Sequence, residues 1–160
     1  MKRFLILPVL LFFISFTAFA QDEKKFAIGL GPEWNMNSKE NFAGGVVFNF
    51  DYNLPAAIPF AVGLTGVFDS NFNDFSKIFA IESSALFRWY FLGKTHAGFF
   101  AQADLGAVFI FENDESKTLF MGGLRGGYRL PLGSLFFIEP YGRVGYPFMF
   151  GVGALAGIRF

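Results

Sequence analysis

The sequence has no cysteine, a single histidine and few charged residues. Without cysteine the chain can form no disulfide, no thiolate metal site and no cysteine nucleophile. Charged side chains make up 16% of the 160 residues, against about a quarter in ordinary soluble proteins. The 13 basic and 13 acidic side chains cancel, so the basic excess typical of nucleic-acid binding is missing. With 53% hydrophobic residues the chain is also too apolar to be disordered.

Long apolar runs are missing after residue 20, whereas the first 20 residues form one. Met1-Lys2-Arg3 is basic, residues 4–19 are almost entirely apolar, and Ala18-Phe19-Ala20 has small residues at its first and third positions. This pattern is typical of a secretory signal peptide, and we expect cleavage after Ala20. The alternative, a membrane anchor, needs a longer apolar core. The sequence therefore predicts a signal peptide, residues 1–20, and a mature domain, residues 21–160.

In the mature chain, residues 21–160, apolar residues instead recur at every second position. Every second position from residue 42 to residue 52 is apolar or aromatic, which is typical of a β-strand: Phe42, Gly44, Val46, Phe48, Phe50 and Tyr52. Pro32 and Pro140 lie within two segments of this kind and leave the limits of those strands open, because proline removes a ladder donor. About eight segments are present, each close to or slightly above the ~9–11 residues with which a tilted strand crosses a bilayer: 25–34, 42–52, 59–68, 78–91, 98–111, 119–130, 135–146 and 148–160.

The connections between these segments alternate in character. Residues 35–41, 69–77 and 112–118 are polar and rich in turn-forming residues, whereas 54–58, 92–97 and 131–134 are compact and contain proline or glycine. Long loops on one side and short turns on the other are typical of a meander through an outer membrane. The three polar loops are the candidate contacts for a surface ligand. Alternatively, Phe72 and Phe75 fold the second loop onto the barrel rim.

Charged residues of the segments share one face and apolar residues the other. In residues 78–91, for example, Glu82 and Arg88 alternate with Phe87 and Trp89. The charged face is diluted by glycine, as a cramped interior requires, and aromatic residues gather at the segment ends, as at the two interfaces of a bilayer. The candidate interface aromatics are Trp34, Trp89, Tyr128 and Tyr146. We therefore predict an all-β fold, an eight-stranded antiparallel up-and-down transmembrane β-barrel. The alternative is a secreted soluble barrel with its faces reversed.

The end of the chain carries a further pattern. Phe160 is preceded at every second position by apolar residues, namely Ile158, Ala156, Ala154 and Val152. With the signal peptide and the eight amphipathic segments, this resembles the small eight-stranded bacterial outer-membrane barrels of the OmpA and OmpX type. The resemblance implies an outer-membrane location among lipid, and recognition of the strand ending in Ile158 and Phe160 by the barrel-assembly machinery.

An eight-stranded barrel is only wide enough for side chains to fill its interior. The inward parity places five acids opposite five arginines there: Glu33, Asp51, Glu82, Asp104 and Glu139 with Arg88, Arg125, Arg129, Arg143 and Arg159. Unpaired charges in a dry lumen are costly, and the planar guanidinium can bind two carboxylates at once. We predict that these residues close the lumen as a plug. The alternative is a gated ion pathway in which the pairs rearrange.

The sequence offers little for catalysis. His96 falls in a short turn, and Ser83-Ser84 has no G-x-S-x-G context for a nucleophile. The acidic residues 112–115 lack the spacing and the glycine of an EF-hand, and the glycine pairs do not open a helix that could bind phosphate. We therefore expect no catalytic, cofactor or metal site. The predicted function is that of an outer-membrane barrel with a structural or surface-interaction role; a narrow channel or transporter for ions or small solutes is the alternative.

Overall fold

The computed structural model describes residues 24–37, 42–55, 59–71, 78–91, 97–112 and 115–160. These residues include no helix that is long and apolar enough to cross a membrane. The expected signal peptide, His96, Phe72 and Phe75 lie outside the described residues. The strands are β1 (Phe26–Asn37), β2 (Phe42–Asn53), β3 (Phe60–Asn71), β4 (Ile78–Tyr90), β5 (Gly98–Glu112), β6 (Glu115–Leu132), β7 (Phe136–Tyr146) and β8 (Phe148–Arg159).

The eight strands form a closed antiparallel barrel in which each strand pairs with its neighbours in sequence and β1 closes on β8. The closing register sets Ala27 opposite Arg159. Beyond it, Phe26 and Phe160 exchange two backbone hydrogen bonds of 2.9 Å each. We call the end of the barrel that holds these residues the terminal end and the opposite end the distal end. The meander predicted from the period of two is confirmed.

Side chains alternate between a buried polar interior and an exposed apolar exterior. In β4 every second residue is buried, including Glu82 and Arg88, while the residues between them, such as Phe87 and Trp89, are exposed. This is the reverse of a soluble barrel, which hides its apolar side chains from water. An exposed surface this apolar fits contact with lipid acyl chains, as in transmembrane barrels.

The polar segments predicted as loops are partly strand. Of residues 35–41, 69–77 and 112–118, the structure includes 35–37, 69–71, 112 and 115–118 in β1, β3, β5 and β6. Asn35 and Asp69 are buried in the lumen, so their polarity reflects the interior of the barrel and not a solvated loop. The remaining residues of these segments, 38–41, 72–77 and 113–114, lie outside the described residues, so the predicted difference in loop length stays a prediction.

Both prolines lie inside strands, on the two sides of β8. Pro140 in β7 is opposite Ala154, whereas the ladder between β1 and β8 has no pair at Gly31 and Pro32. Because proline has no N–H to donate, the ladder is interrupted there without ending the strand. The limits left open by the sequence are therefore Phe26–Asn37 for β1 and Phe136–Tyr146 for β7.

Candidate functional site

All ten charged residues that the sequence assigns to the lumen are buried inside the barrel. They divide by height into a cluster near the terminal end, a cluster near the distal end and a belt between them.

The terminal cluster joins two arginines to two acids across the width of the barrel. Glu139 accepts hydrogen bonds from Arg88 Nη1 and Nη2, at 3.0 and 2.8 Å, and from Arg129 Nε at 2.6 Å. Asp51 accepts from Arg129 Nη2 at 2.7 Å. Gln102 completes the cluster by accepting from Arg88 Nε at 2.9 Å. Since β2 and β6 lie four strands apart in a barrel of eight, the pair of Asp51 with Arg129 spans the full lumen.

Two inward phenylalanines cover these guanidinium groups. The Arg88 guanidinium carbon lies 4.2 Å from the centre of the Phe100 ring, and that of Arg129 lies 4.2 Å from the Phe137 ring. Each contact is within the range of a cation–π interaction. Sequence reasoning placed phenylalanine on the outer face and missed both residues. The signal was available, because each is the second member of a phenylalanine doublet, and a doublet in a strand sends one ring to each face.

The distal cluster is centred on Arg143. Its Nη1 and Nη2 atoms donate to the two carboxylate oxygens of Glu82 at 2.6 and 2.8 Å, and Nη2 also lies 3.0 Å from Glu33 Oε1. Nε donates to Asn35 Oδ1 at 3.1 Å. The Tyr141 hydroxyl donates to the other oxygen of Glu33. The cluster thus holds one arginine through Nε, Nη1 and Nη2, and the bidentate pair with Glu82 adds geometric specificity as well as energy.

Glycine makes room for the distal cluster. A Cβ atom at Gly153 would lie 2.5 Å from the Tyr141 hydroxyl, and one at Gly151 would lie 2.3 Å from Asn35 Oδ1. Side chains at these positions would displace the groups that hold Glu33 and Arg143. The glycine that dilutes the charged face therefore has a local function in packing.

Asp69 belongs to the lumen and not to a loop. It is buried in β3, where its Oδ1 atom accepts a hydrogen bond from Asn35 Nδ2 at 2.9 Å. The described lumen therefore contains six acids, Glu33, Asp51, Asp69, Glu82, Asp104 and Glu139, and five arginines. The balance of five against five expected from the sequence is wrong, because the polar run after Phe68 was assigned to a loop.

Arg159 lies at the terminal mouth of the lumen. Its Nη2 atom donates to the backbone oxygen of Gly133, in the connection between β6 and β7, at 3.1 Å. Lys24, just before β1, is close by: partial burial first, and then the charge of Arg159, lower the pKa of the Lys24 ammonium group. Two basic side chains, Lys24 and Arg159, therefore lie together at the terminal mouth.

Arg125 occupies the belt between the two clusters and is bonded differently. Its Nε atom lies 3.6 Å from Asp104 Oδ2 and its Nη2 atom 3.8 Å from Glu33 Oε2, so both acids neutralise it at a distance. The ring of Tyr141 covers its guanidinium carbon at 4.3 Å. None of its three nitrogen atoms makes a hydrogen bond within the described part of the protein. Asn49 Nδ2 and Ser84 Oγ are equally unbonded there. Single atoms elsewhere in the described lumen also lack a hydrogen bond, for example Glu33 Oε1 and Asp69 Oδ2, but Arg125 lacks one at all three nitrogen atoms.

The four candidate interface aromatics lie on the outer face. Trp34 and Tyr146 are exposed near the distal end, and Trp89 is exposed near the terminal end. Tyr128 packs edge-on against Phe99, with ring centres 4.8 Å apart, also near the terminal end. Where β8 pairs with β1, Ile158 is opposite Ile28, and the ring of Phe160 stacks on that of Phe26.

Several solved structures share this architecture. The N-terminal β-barrel domain of OprF from Pseudomonas aeruginosa superimposes with a TM-score of 0.61 and 14% identity, covering 84% of this chain and 96% of that one. Neisserial surface protein A gives 0.55 and 12%, with the same coverage. A de novo designed transmembrane β-barrel gives 0.51 and 11%, covering 86% of this chain and 98% of that one.

The chain has the fold of a small outer-membrane β-barrel. The prediction of an eight-stranded transmembrane barrel is confirmed at this level. No protein-family model and no curated protein sequence matches the chain. At identities this low, the similarity to these solved structures shows the fold alone. The function has to be argued from the residues of this chain.

Proposed function

We propose that the protein resides in the outer membrane and acts there as a structural or surface-interaction protein, with a closed lumen and no catalytic turnover. The observation that carries this proposal is the pair of ion-pair clusters stacked along the lumen. A solute entering from either end meets the terminal or the distal cluster first and the other cluster last. Export by the signal peptide and insertion through the terminal strand by the barrel-assembly machinery are part of the same proposal.

Each cluster is costly to open. Separating Arg88 from Glu139, or Arg143 from Glu82, would leave charges unpaired in a narrow space with little water, at a cost of about 3–5 kcal/mol for one broken pair. Side chains that bridge facing strands also hold the barrel wall in register. The lumen residues are therefore better suited to closing and bracing the barrel than to conducting ions.

The same contacts speak against catalysis. The lumen acids and arginines of both clusters hold each other, whereas a general base must be free to reach a substrate proton. Ser83 is exposed on the outer face and Ser84 is buried in the lumen, so the two neighbouring serines do not share a site. Among the described residues, no three acidic or histidine side chains are arranged to hold a metal ion.

Conductance in planar lipid bilayers tests the closed lumen. We expect the purified protein to produce no stable current steps after insertion, because both clusters block the path. A trimeric porin inserted in the same way supplies the positive control. Steady, porin-like channels from the protein alone would contradict the proposal.

A narrow pathway for water or small ions is the second candidate function, and one observation favours it. The belt around Arg125 leaves buried donors that protein groups do not satisfy, and such groups are normally completed by water. A hydrated belt between two closed clusters would become part of a pathway only if both clusters opened.

A further inference from the structure

The outer face of the barrel has a groove where β1 meets β8. The groove has a volume of about 260 Å³. It is lined by six residues of the two strands: Pro32, Glu33, Trp34, Val152, Gly153 and Ala154. Trp34 and Val152 are exposed, whereas the side chain of Glu33 is bonded inside the lumen. The even-numbered side chains therefore form the walls and the odd-numbered residues contribute backbone. We call this feature the seam groove.

Proline explains why the surface is recessed at this point. Phe26 and Phe160 exchange two backbone hydrogen bonds, so the even-numbered residues of β1 direct their backbone groups toward β8. Pro32 is one of these residues and lies level with Ala154, but it has no N–H to donate, and the ladder has no pair there. The single methyl group of Ala154 is too short to fill the surface beside the proline ring.

The seam groove offers an apolar ligand room without any free charge. The carboxylate of Glu33 is held in the lumen by the Tyr141 hydroxyl and by Arg143, so it does not face the groove. The indole N–H of Trp34 is the one polar side-chain group on the outer side of the lining. Pockets that enclose a whole drug-sized molecule have volumes of about 300–1,000 Å³, so this smaller groove suits a segment of a hydrocarbon chain.

The register around the barrel shows how the groove is oriented in the membrane. From Trp34 the row of paired residues runs through β8 and β7 to Gly126 in β6, whereas in the other direction around the barrel it reaches Ser116. Gly126 is nearer the terminal end, so the row descends toward that end from β1 through β8. With a strand tilt of about 35–45°, the position directly below Trp34 along the membrane normal is about two residues past Val152, at Ala154.

We infer that the seam groove binds one acyl chain of a lipid in the leaflet at the distal end. The headgroup lies beside Trp34, at the level that tryptophan prefers, and the chain passes over Pro32 and Ala154. An acyl chain fits because it is apolar, lies along the membrane normal as the groove does, and belongs to the phase that the outer face contacts. The inference goes beyond the proposed role, since a site for one chain needs neither a surface partner nor a closed lumen.

Photo-crosslinking from the lipid tests the inference. The probe is a phosphatidylcholine with a diazirine in the upper half of one acyl chain, present at low mole fraction in nanodiscs of unlabelled phosphatidylcholine. Ala154→Phe fills the groove with a ring. Ala85→Phe adds the same ring to the exposed outer face of β4, four strands away on the opposite side of the barrel, and is the matched control. Labelled residues are mapped by peptide mass spectrometry, and heat-modifiable migration on gels confirms that each variant is folded.

We expect the label to concentrate in residues 32–34 and 152–154. Ala154→Phe should lower labelling of these residues at least about fivefold, because the added ring occupies the space of the chain, and Ala85→Phe should leave it unchanged.

Three results would overturn the inference. The first is label spread evenly around the barrel, and the second is equal labelling of the groove in Ala154→Phe and in the unchanged protein. The third is a dimer in native mass spectra that Ala154→Phe reduces to a monomer, which would make a second copy the occupant. Label that reaches no part of the outer face would contradict the membrane location as well, whereas conductance of the same sample reports only on the closed lumen.

Discussion

Replacing Arg88 by methionine is expected to lower the free energy of unfolding in lipid by about 3–5 kcal/mol. Arg88 is fully buried and is the most connected side chain of the terminal cluster, with hydrogen bonds to Glu139, Gln102, Asp51 and Tyr90. Methionine fills much of its volume but leaves Glu139 and Asp51 with a single guanidinium group between them. Urea titrations in phospholipid vesicles, followed by tryptophan fluorescence, measure the change.

A double-mutant cycle separates the ion pair from general packing. Glu139→Gln alone leaves two guanidinium groups facing Asp51, so we expect it to be destabilising as well. Arg88→Met combined with Glu139→Gln should lose less than the sum of the two single changes, because the surviving Arg129 and Asp51 still neutralise each other. The exposed Lys117→Met serves as control and should change stability by no more than about 0.5 kcal/mol. A loss below about 1 kcal/mol for Arg88→Met would show that the cluster does not brace the barrel.

Opening the lumen should require the loss of both clusters. Arg88→Ser with Glu139→Ser removes one opposite pair from the terminal cluster and leaves the net charge unchanged. Arg143→Ser with Glu82→Ser does the same in the distal cluster. Because the clusters lie in series, we expect each double variant to stay closed in planar bilayers. The quadruple variant should produce resolved current steps, since an eight-stranded barrel is closed only by the side chains that fill it.

Two results would contradict this expectation. Current steps from either double variant would mean that a single cluster closes the lumen. A quadruple variant that stays silent, although it migrates as a folded, heat-modifiable barrel on gels, would mean that other groups block the path. The apolar lumen residues Phe100 and Phe137 would then be the first to examine.

The fold could be predicted because successive side chains of a strand point to opposite faces of the sheet. Alternation in segments such as β4 separates Glu82 and Arg88 from Phe87 and Trp89, and this assigns both faces of the wall at once. The number of segments, with the apolar face outward, then leads to a closed barrel of eight strands. Pro32 and Pro140 left only the limits of β1 and β7 open. A strand whose ladder is interrupted on one side continues because its other neighbour still pairs with it.

The interior could be predicted only in part. Parity places Arg125 and Arg143 on the same face but does not reveal that Arg143 is bonded along its whole donor edge while Arg125 is not. That difference depends on the stagger between strands far apart in sequence. Asp69 was assigned to a loop because polar residues at a strand end resemble a turn, although in a barrel with a polar lumen they can equally face inward. The part of β6 that extends past the end of β7 also depends on register, since pairing between the two strands begins only at Gly122 opposite Tyr146.

The central claim is that the apolar outer face of the barrel lies against lipid. The chain has two tryptophans, and both are on that face, with Trp34 64% exposed near the distal end and Trp89 45% exposed near the terminal end. Quenching by lipids brominated at different depths, in the variants Trp34→Phe and Trp89→Phe, tests the claim directly. We predict blue-shifted emission and strong quenching in both variants, strongest for bromines close to the headgroups, where tryptophan prefers to lie. Water-exposed emission that brominated lipid leaves unquenched in both variants would contradict the account.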